Sequence, residues 1–338
     1  MDNTNSDTSN FLNWVEIKNF KSIKDLRLDC KRVNIFIGKP NVGKSNILEG
    51  LGMLGEVNSQ GRIFEGYIRY ENLTQLFYDN DPSKSISIDS NNRLTELYQK
   101  PNIGNSFNHF GYTINHLGST YRLSERGEVV NIIPIDETPF SHTKKYDFSN
   151  LTIFSTIFQD FLLPPNGQNL YSVIRRNKEL WTEFATLFQD QNLELVLYDE
   201  KQEFILQKRQ ERVVWQYPYF SIADTFRRYM FYIAAIESNK NSVIIFEEPE
   251  VHSFPPYTKA LAHRIAYSEQ NQFFISTHSP YLLQTLIAEL DDADLSVYIT
   301  YYKDYQTQVR LLTAEELQEA LDLSIDLFYN LSRYESNA

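Results

Sequence analysis

After a polar opening, MDNTNSDTSN, the stretches Trp14–Ile17 and Leu26–Leu28 alternate apolar with polar residues about the turn-like NFKSIKD. A period of two marks a strand with one buried face, so the pair predicts a hairpin. Val33-Asn34-Ile35-Phe36-Ile37 reads as a buried strand, and Ile47, Leu48, Leu51 and Leu54 then fall at helical spacing from Ser45 to about Val57. Between about 60 and 150, short alternating segments such as SISID and YRLSERGEVVNIIPI are broken by Asn, Gly and Pro, the pattern of an antiparallel β subdomain.

From Leu151 to about Asp190, STIFQDFLL and SVIRRNKELWTEFATLFQD carry helical spacing on either side of Pro164-Pro165-Asn166-Gly167, which predicts a helical insertion. Strands return at LELVLYD and EFILQKR. A helix over Ala223–Glu237, a strand over Ser242–Phe246, a helix near Pro256–Ser268 and a strand over Gln272–Ser276 follow. This alternation of strand and helix argues for a parallel sheet. Near the end, TAEELQEALDLSIDLFYNL starts like a capped helix and closes on apolar and aromatic residues. No heptad pattern persists, so long coiled-coil arms are not expected, and there are no internal repeats.

Composition narrows the picture. The 338 residues suffice for one large core or two modest ones, and 22 Tyr with 23 Phe promise an aromatic interior. A formal net charge of −12 disfavours nonspecific binding to a phosphate backbone unless basic side chains gather on one face. The single cysteine, Cys30, rules out an internal disulfide framework and a multi-cysteine zinc site. No signal sequence is apparent and no apolar run approaches the ~20 residues that span a bilayer, so a cytoplasmic protein with no membrane partner is expected.

Chemistry enters at Gly38-Lys39-Pro40-Asn41-Val42-Gly43-Lys44-Ser45, which matches G-x-x-x-x-G-K-[ST] between a strand and a helix. In such a loop the backbone amides wrap phosphates, Lys44 neutralises the β and γ oxygens, Ser45 ligates Mg²⁺, and Asn46 follows at the helix start. The PNVGKS wording also occurs in GTPases. No D-x-x-G follows, however, and Asn177-Lys178-Glu179-Leu180 and Asn239-Lys240-Asn241-Ser242 lack the Asp of a guanine reader. Downstream, Ser242–Phe246 delivers Glu247 and Glu248 at the mouth of an apolar strand, where two carboxylates are costly unless a cation or reacting water compensates. We assign Glu247, with Ser45, to the magnesium shell and Glu248 to polarising the attacking water. His278, at the end of the next strand, lies where ligands gather in parallel sheets.

The ordered set NFKSI, GKPNVGKSN, VIIFEEPE and FISTHSPYLL, spread over roughly residues 14–285, resembles the ATPase heads of the overcoming-lysogenization-defect and RecF-like branch of ABC ATPases. The resemblance implies an α/β P-loop NTPase fold of the ABC type, with a mixed or parallel sheet, an antiparallel β subdomain and a helical insertion. It puts Glu247 and Glu248 at the Walker B positions, Val251–Pro255 in the D-loop and His278 at the switch that senses the γ-phosphate. The signature segment that caps the opposite subunit's ATP falls on Ser221-Ile222-Ala223-Asp224-Thr225-Phe226-Arg227-Arg228, with Ser221 and Asp224 as nucleotide contacts. Ala223 and Asp224 stand there in place of the usual glycines; Ser221 as a simple helix N-cap is the alternative. Gln75, after the phosphate helix, is a candidate link between magnesium and conformational change.

The expected divisions are a disordered tail over 1–11, an ATPase lobe with phosphate loop and β subdomain over 12–150, and an insertion over 151–215. A second lobe with signature, Walker B and switch covers 216–310, and a helical segment covers 311–338. The implied cofactors are ATP and Mg²⁺, and the implied assembly is an ATP-linked homodimer or higher homo-oligomer. Relatives often carry a fused Toprim nuclease. Only about fifty residues follow the switch here, so a separately encoded effector, a nuclease or toxin, is expected in a bacterial defence complex. The competing expectation is a RecF-like role on DNA, using Lys201, Lys208, Arg209 and Arg212. A transporter subunit fits poorly with the non-glycine signature and the β-rich insertion.

Overall fold

The computed structural model describes residues 7–55, 61–100, 109–115, 118–133, 141–157, 159–323 and 325–335. Parts of the expected tail (1–6), of the phosphate helix (56–57), of the strand-rich segment near 134–140 and of the C-terminal segment (324, 336–338) lie outside them.

A six-stranded sheet forms the centre, in the order β16 (Gln306–Leu311), β15 (Leu295–Lys303), β3 (Val33–Ile37), β14 (Asn271–Ser276), β13 (Ser242–Glu247) and β9 (Thr143–Tyr146). Every neighbouring pair from β15 to β9 is parallel, and β16 returns antiparallel on β15. Both faces are covered, which is why β3, β13 and β14 read as continuous apolar runs. On one face Ile35, Ile244, Phe246 and Ile275 join α4 (Asp224–Ser238), α5 (Pro255–Tyr267), α6 (Pro280–Glu289) and the insertion in one buried cluster. On the other, Phe36, Val243, Ile245 and Phe274 meet α1 (Lys44–Gly52) and a second sheet.

That second sheet is the expected antiparallel subdomain. Its order is β2 (Ile23–Asp29), β1 (Trp14–Phe20), β4 (Ile86–Ser90), β5 (Leu94–Gln99), β6 (Phe110–Ile114), β7 (Ser119–Leu123) and β8 (Val129–Ile133). It differs from expectation at both ends: it recruits the N-terminal hairpin, and it loses Thr143–Tyr146 to the parallel sheet. All four residues of β9 are buried, two of them lysines, so no alternation marked the strand.

The insertion holds α2 (Leu170–Arg176), α3 (Lys178–Thr186) and a three-stranded antiparallel sheet of β10 (Glu194–Tyr198), β11 (Glu203–Gln210) and β12 (Val213–Pro218). Asn177 divides the two helices by accepting from the Glu179 and Leu180 amides as the N-cap of α3. STIFQDFLL is not helical among its described residues. Its backbone is satisfied from outside: Ser238 Oγ accepts from the Leu162 amide at 2.8 Å, and Tyr146 Oη donates to the Leu162 carbonyl at 2.6 Å. Phe154 is taken up by Phe204 and Tyr219, each at a ring distance of 5.3 Å. Residues 9–11 of the expected tail are also tied down, since Asn241 accepts from the Asn10 amide and Asn91 donates to the Phe11 carbonyl.

At the C-terminal end α7 (Ala314–Asp322) begins with the expected capping box of Thr313 and Glu316. Together with α8 (Leu331–Glu335) it packs on the head through Leu317, Ala320, Leu327, Leu331 and Tyr334. The longest described helix has 15 residues, and none is long and apolar enough to cross a membrane. The insertion shares its core with the head, so Phe204→Ala should cost about 3–5 kcal/mol in one cooperative urea transition. A separate early transition for the insertion would contradict the shared core.

Candidate functional site

β3 runs straight into the phosphate loop, and two hairpins from different sheets brace it. Ser22, between β1 and β2, and Thr307, on β16, meet through their hydroxyls at 2.6 Å. Thr307 Oγ1 also donates to the Val42 carbonyl, and its amide to the Ser22 carbonyl. The brace explains Gly43, whose φ of 102° favours glycine and where a Cβ would stand 2.0 Å from Thr307 Oγ1. Asn41 takes a positive φ of 61° within the same loop. Asn46 Nδ2 donates to Ser22 Oγ at 2.7 Å, so this residue serves the brace. Lys39 Nζ reaches Glu335 of α8 at 2.7 Å.

Lys44 is buried at the start of α1, with Nζ donating to the Gly38 and Lys39 carbonyls at 2.9 Å each. Burial pulls its pKa below the ordinary lysine value, against the opposing pull of Glu248 and Glu247. One strand over from the loop in the parallel ladder lies β14, and next to it β13, so Lys44, the Glu247-Glu248 pair and His278 converge at the carboxyl ends of adjacent strands. That is where open parallel sheets bind ligands.

Glu248 has φ 45°, an uncommon conformation for a non-glycine residue, and its carboxylate meets His278 Nε2 at 3.3 Å. Burial, reinforced by the Lys44 ammonium, lowers the His278 pKa below its ordinary value despite Glu248. Burial thus disfavours the charged imidazolium even beside that acid. Glu250 holds this switch from beneath, as its Oε1 accepts from Thr277 Oγ1 at 2.7 Å and from the His278 amide at 2.8 Å. Burial raises the Glu250 carboxyl above the usual range, against those two hydrogen bonds. Phe328 lies over His278 with ring centroids 6.4 Å apart.

Glu247 faces a cleft of about 510 Å³ lined also by Ser45, Glu49, Arg69, Lys145, Asp147 and Arg228. Lys145 Nζ lies 3.4 Å and Arg69 Nη2 3.6 Å from its carboxylate. Burial works against ionisation of Glu247, but Lys145, the Ser45 hydroxyl and Arg69 outweigh it and hold the carboxyl below the usual range. The Ser45 hydroxyl and the Glu247 carboxylate are hard oxygen donors lining one cleft, and they suit Mg²⁺. Among the described residues no group of three or more His, Cys, Asp or Glu side chains could hold a metal unaided. Mg²⁺ needs no such cage, since it commonly takes one or two carboxylates and fills its octahedron with phosphate and water oxygens.

Gln75 lies outside this cleft, and so do Ser221 and Asp224, the residues expected at the opposite subunit's nucleotide. Gln75 spends its side-chain oxygen on a capping box, accepting from the Glu71 amide at 2.8 Å and the Asn72 amide at 3.5 Å. Ser221 is exposed in a single 3₁₀ turn and is not the N-cap of α4, which is Ala223. Asp224 accepts from Arg227 and Arg228. Neither Ser221 nor Asp224 lines the cleft, although Thr225 ties α4 to the D-loop through the His252 carbonyl at 2.6 Å. Arg69 and Lys145 lie in no motif and carried no signal in the sequence, while Glu49 on the phosphate helix and Glu250 at the end of the EEPE string were assigned no role from it.

Residues 11–213 match the AAA_15 family, described as an AAA ATPase domain. The chain belongs to that family. This AAA ATPase domain spans the phosphate loop, the antiparallel sheet and most of the insertion. Among solved structures, an SMC head bound to the C-winged helix domain of ScpA superposes with a TM-score of 0.50 at 14% identity, covering 91% of this chain and 99% of that one. The SMC head domain from Thermotoga maritima follows at 0.42 and 11%, covering 89% and 99%. An SMC head with an extended coiled coil, bound to the C-terminal domain of ScpA derived from Pyrococcus furiosus, gives 0.47 and 13%, covering 94% and 100%. No curated protein matches the sequence. The first superposition supports the mixed α/β P-loop fold, and the family makes the chain an AAA ATPase.

Gly43→Ala should lower stability by about 1–3 kcal/mol in thermal unfolding, because it strains the backbone and displaces Thr307. Gly52→Ala meets only the Lys145 stem at 3.5 Å and should change stability by less than about 1 kcal/mol. Equal effects would show that the brace is not what constrains the loop.

Proposed function

We propose that this chain binds and hydrolyses ATP with Mg²⁺ at a site completed by a second copy. The observation that carries the reading is the convergence of Lys44, Ser45, Glu247, Glu248 and His278 at one end of the parallel sheet. The phosphate-loop amides and Lys44 hold the triphosphate, and Ser45 with Glu247 holds the ion. Bound Mg²⁺ supplies charge neutralisation across the β- and γ-phosphates. Glu248 orients and polarises the attacking water, and His278 donates an N–H to a γ-phosphate oxygen.

In a two-copy site each nucleotide contributes contacts to both chains, so ATP favours the dimer and hydrolysis loosens it. Ser221 and Asp224, exposed or half-exposed at the start of α4 and away from this chain's own cleft, are the residues we assign to the partner's nucleotide. Gln75 would reach the magnesium only by leaving its capping box, so its proposed link to the metal is a conformational one. From the resemblance to overcoming-lysogenization-defect heads we infer that the dimer senses a trigger in bacterial antiviral defence and controls a separately encoded effector. The SMC head relative is likewise bound to a domain of another protein, ScpA.

A RecF-like role on DNA is the second reading. It draws on the β11–β12 hairpin, which exposes Arg209, Arg212, Trp215 and Tyr217 beside Lys208. DNA binding by the ATP dimer that weakens steeply with salt, and is lost in Lys208→Glu/Arg212→Glu, would favour it over effector control.

Glu248→Gln should trap the ATP-bound form, doubling the mass in size-exclusion light scattering when ATP is added. An unchanged mass would refute the two-copy site. Because the His278 pKa lies below its ordinary value of 6.5, protonation and loss of turnover should set in only below that pH. The hydrolysis rate should accordingly be flat from about pH 7 to 8. An acid limb centred at or above 6.5 would remove His278 from the role given it.

A further inference from the structure

The cleft beside the phosphate helix contains an alternating ladder of charge. Lys21 pairs with Glu49, Glu49 with Arg69 at 2.7 Å, Arg69 with Glu247 at 3.6 Å and Glu247 with Lys145 at 3.4 Å. Three cations thus share two acids, in a chain whose formal net charge is −12. Asp147, Glu248 and Arg228, the last shared with Asp224, complete the charged lining.

Lys145 is the unusual member. It sits on β9, with its side chain only 4% exposed, beside Ile245 in the parallel register with β13. Its stem runs against α1 at Gly52, where a Cβ would stand 3.5 Å from the Lys145 Cδ. The ammonium thus emerges next to Ser45, Glu49 and Glu247. Burying an ammonium costs several kcal/mol, and an apolar side chain of similar length would fill this space without that cost. The charge therefore calls for a purpose other than packing. Placed against the carboxylate assigned to Mg²⁺, it repels a second cation there while attracting a polyanion.

We propose that Lys145 is a tethered cation at the metal side of the nucleotide cleft, a positioning residue that lets the site hold a nucleoside triphosphate without a divalent ion. The inference rests on the ATP-binding reading above. Lys145 and Arg69 neutralise phosphate charge from one side while Lys44 does so from the other. Glu247 and Ser45 would hold Mg²⁺ when it is bound, leaving the Lys145 ammonium free to pair with phosphate oxygen.

Calorimetric titration of the full chain with ATP, in EDTA and in excess Mg²⁺, tests this. The wild type should bind in EDTA within about tenfold of its affinity in Mg²⁺, and Lys145→Gln should weaken the EDTA affinity by about tenfold or more. Its affinity in Mg²⁺ should change by less than about threefold, and Lys145→Arg should restore binding in EDTA. A Lys145→Gln loss that is equal in the two buffers, or absent from both, overturns the proposal. Should that variant fail to fold, Glu247→Gln serves instead: freeing Lys145 from its carboxylate should tighten binding in EDTA, and no tightening overturns the proposal. Failure of the wild type to bind ATP in either buffer would reject the nucleotide reading itself, which separates the two outcomes.

Discussion

The contact between Ser22 and Thr307 is small, two hydroxyls 2.6 Å apart, yet the phosphate loop depends on it. It joins the tip of the antiparallel sheet's first hairpin to the outer hairpin of the parallel sheet, directly across Gly43. Neither hairpin alone could fix the loop, because each would leave one side of the turn free to relax. The antiparallel sheet is thus part of the nucleotide apparatus as well as a cover for α1, and a substitution in either hairpin is felt at Lys44 and Ser45.

A second constraint follows from the order of parallel strands. With β3, β14 and β13 side by side, a phosphate loop, a histidine and two acids separated by more than two hundred residues of sequence arrive at one edge. The positive φ of Glu248 then turns its carboxylate onto His278, while Glu250 ties Thr277 and the His278 amide from below. The EEPE string thereby does two jobs, lining the cleft and meeting His278 through its first acids and scaffolding through its last. Glu250 is held away from solvent for the second, which explains why its carboxyl favours the proton more than an ordinary glutamate does.

Much of this was legible in the sequence because it is written contiguously: the Gly38–Ser45 loop, the apolar strand ending in Glu247-Glu248, and the alternation of strand and helix that makes a parallel sheet. Features that depend on distant partners were not legible. Thr143–Tyr146 carries two lysines and reads as surface, because only the fold reveals that Lys144 reaches Asn239 and that Lys145 reaches Glu247. STIFQDFLL has helical spacing, but Ser238 and Tyr146 supply the hydrogen bonds that a helix would have made internally. Gln75 stands at a plausible distance along the chain from the phosphate helix, and spacing could not reveal that its carboxamide is occupied by the Glu71 and Asn72 amides.

The C-terminal segment touches the site twice, through Glu335 of α8 on Lys39 and through Phe328, in the turn before α8, beside His278. One contact reports on the Gly38–Ser45 loop and the other on the histidine that meets Glu248. Thermodynamic linkage makes such contacts reciprocal: whatever free energy the nucleotide exerts on the last turn of the chain, a macromolecule grasping that turn exerts on the nucleotide. Phe328 and Glu335 are in this sense handles on the carboxyl ends of the central strands.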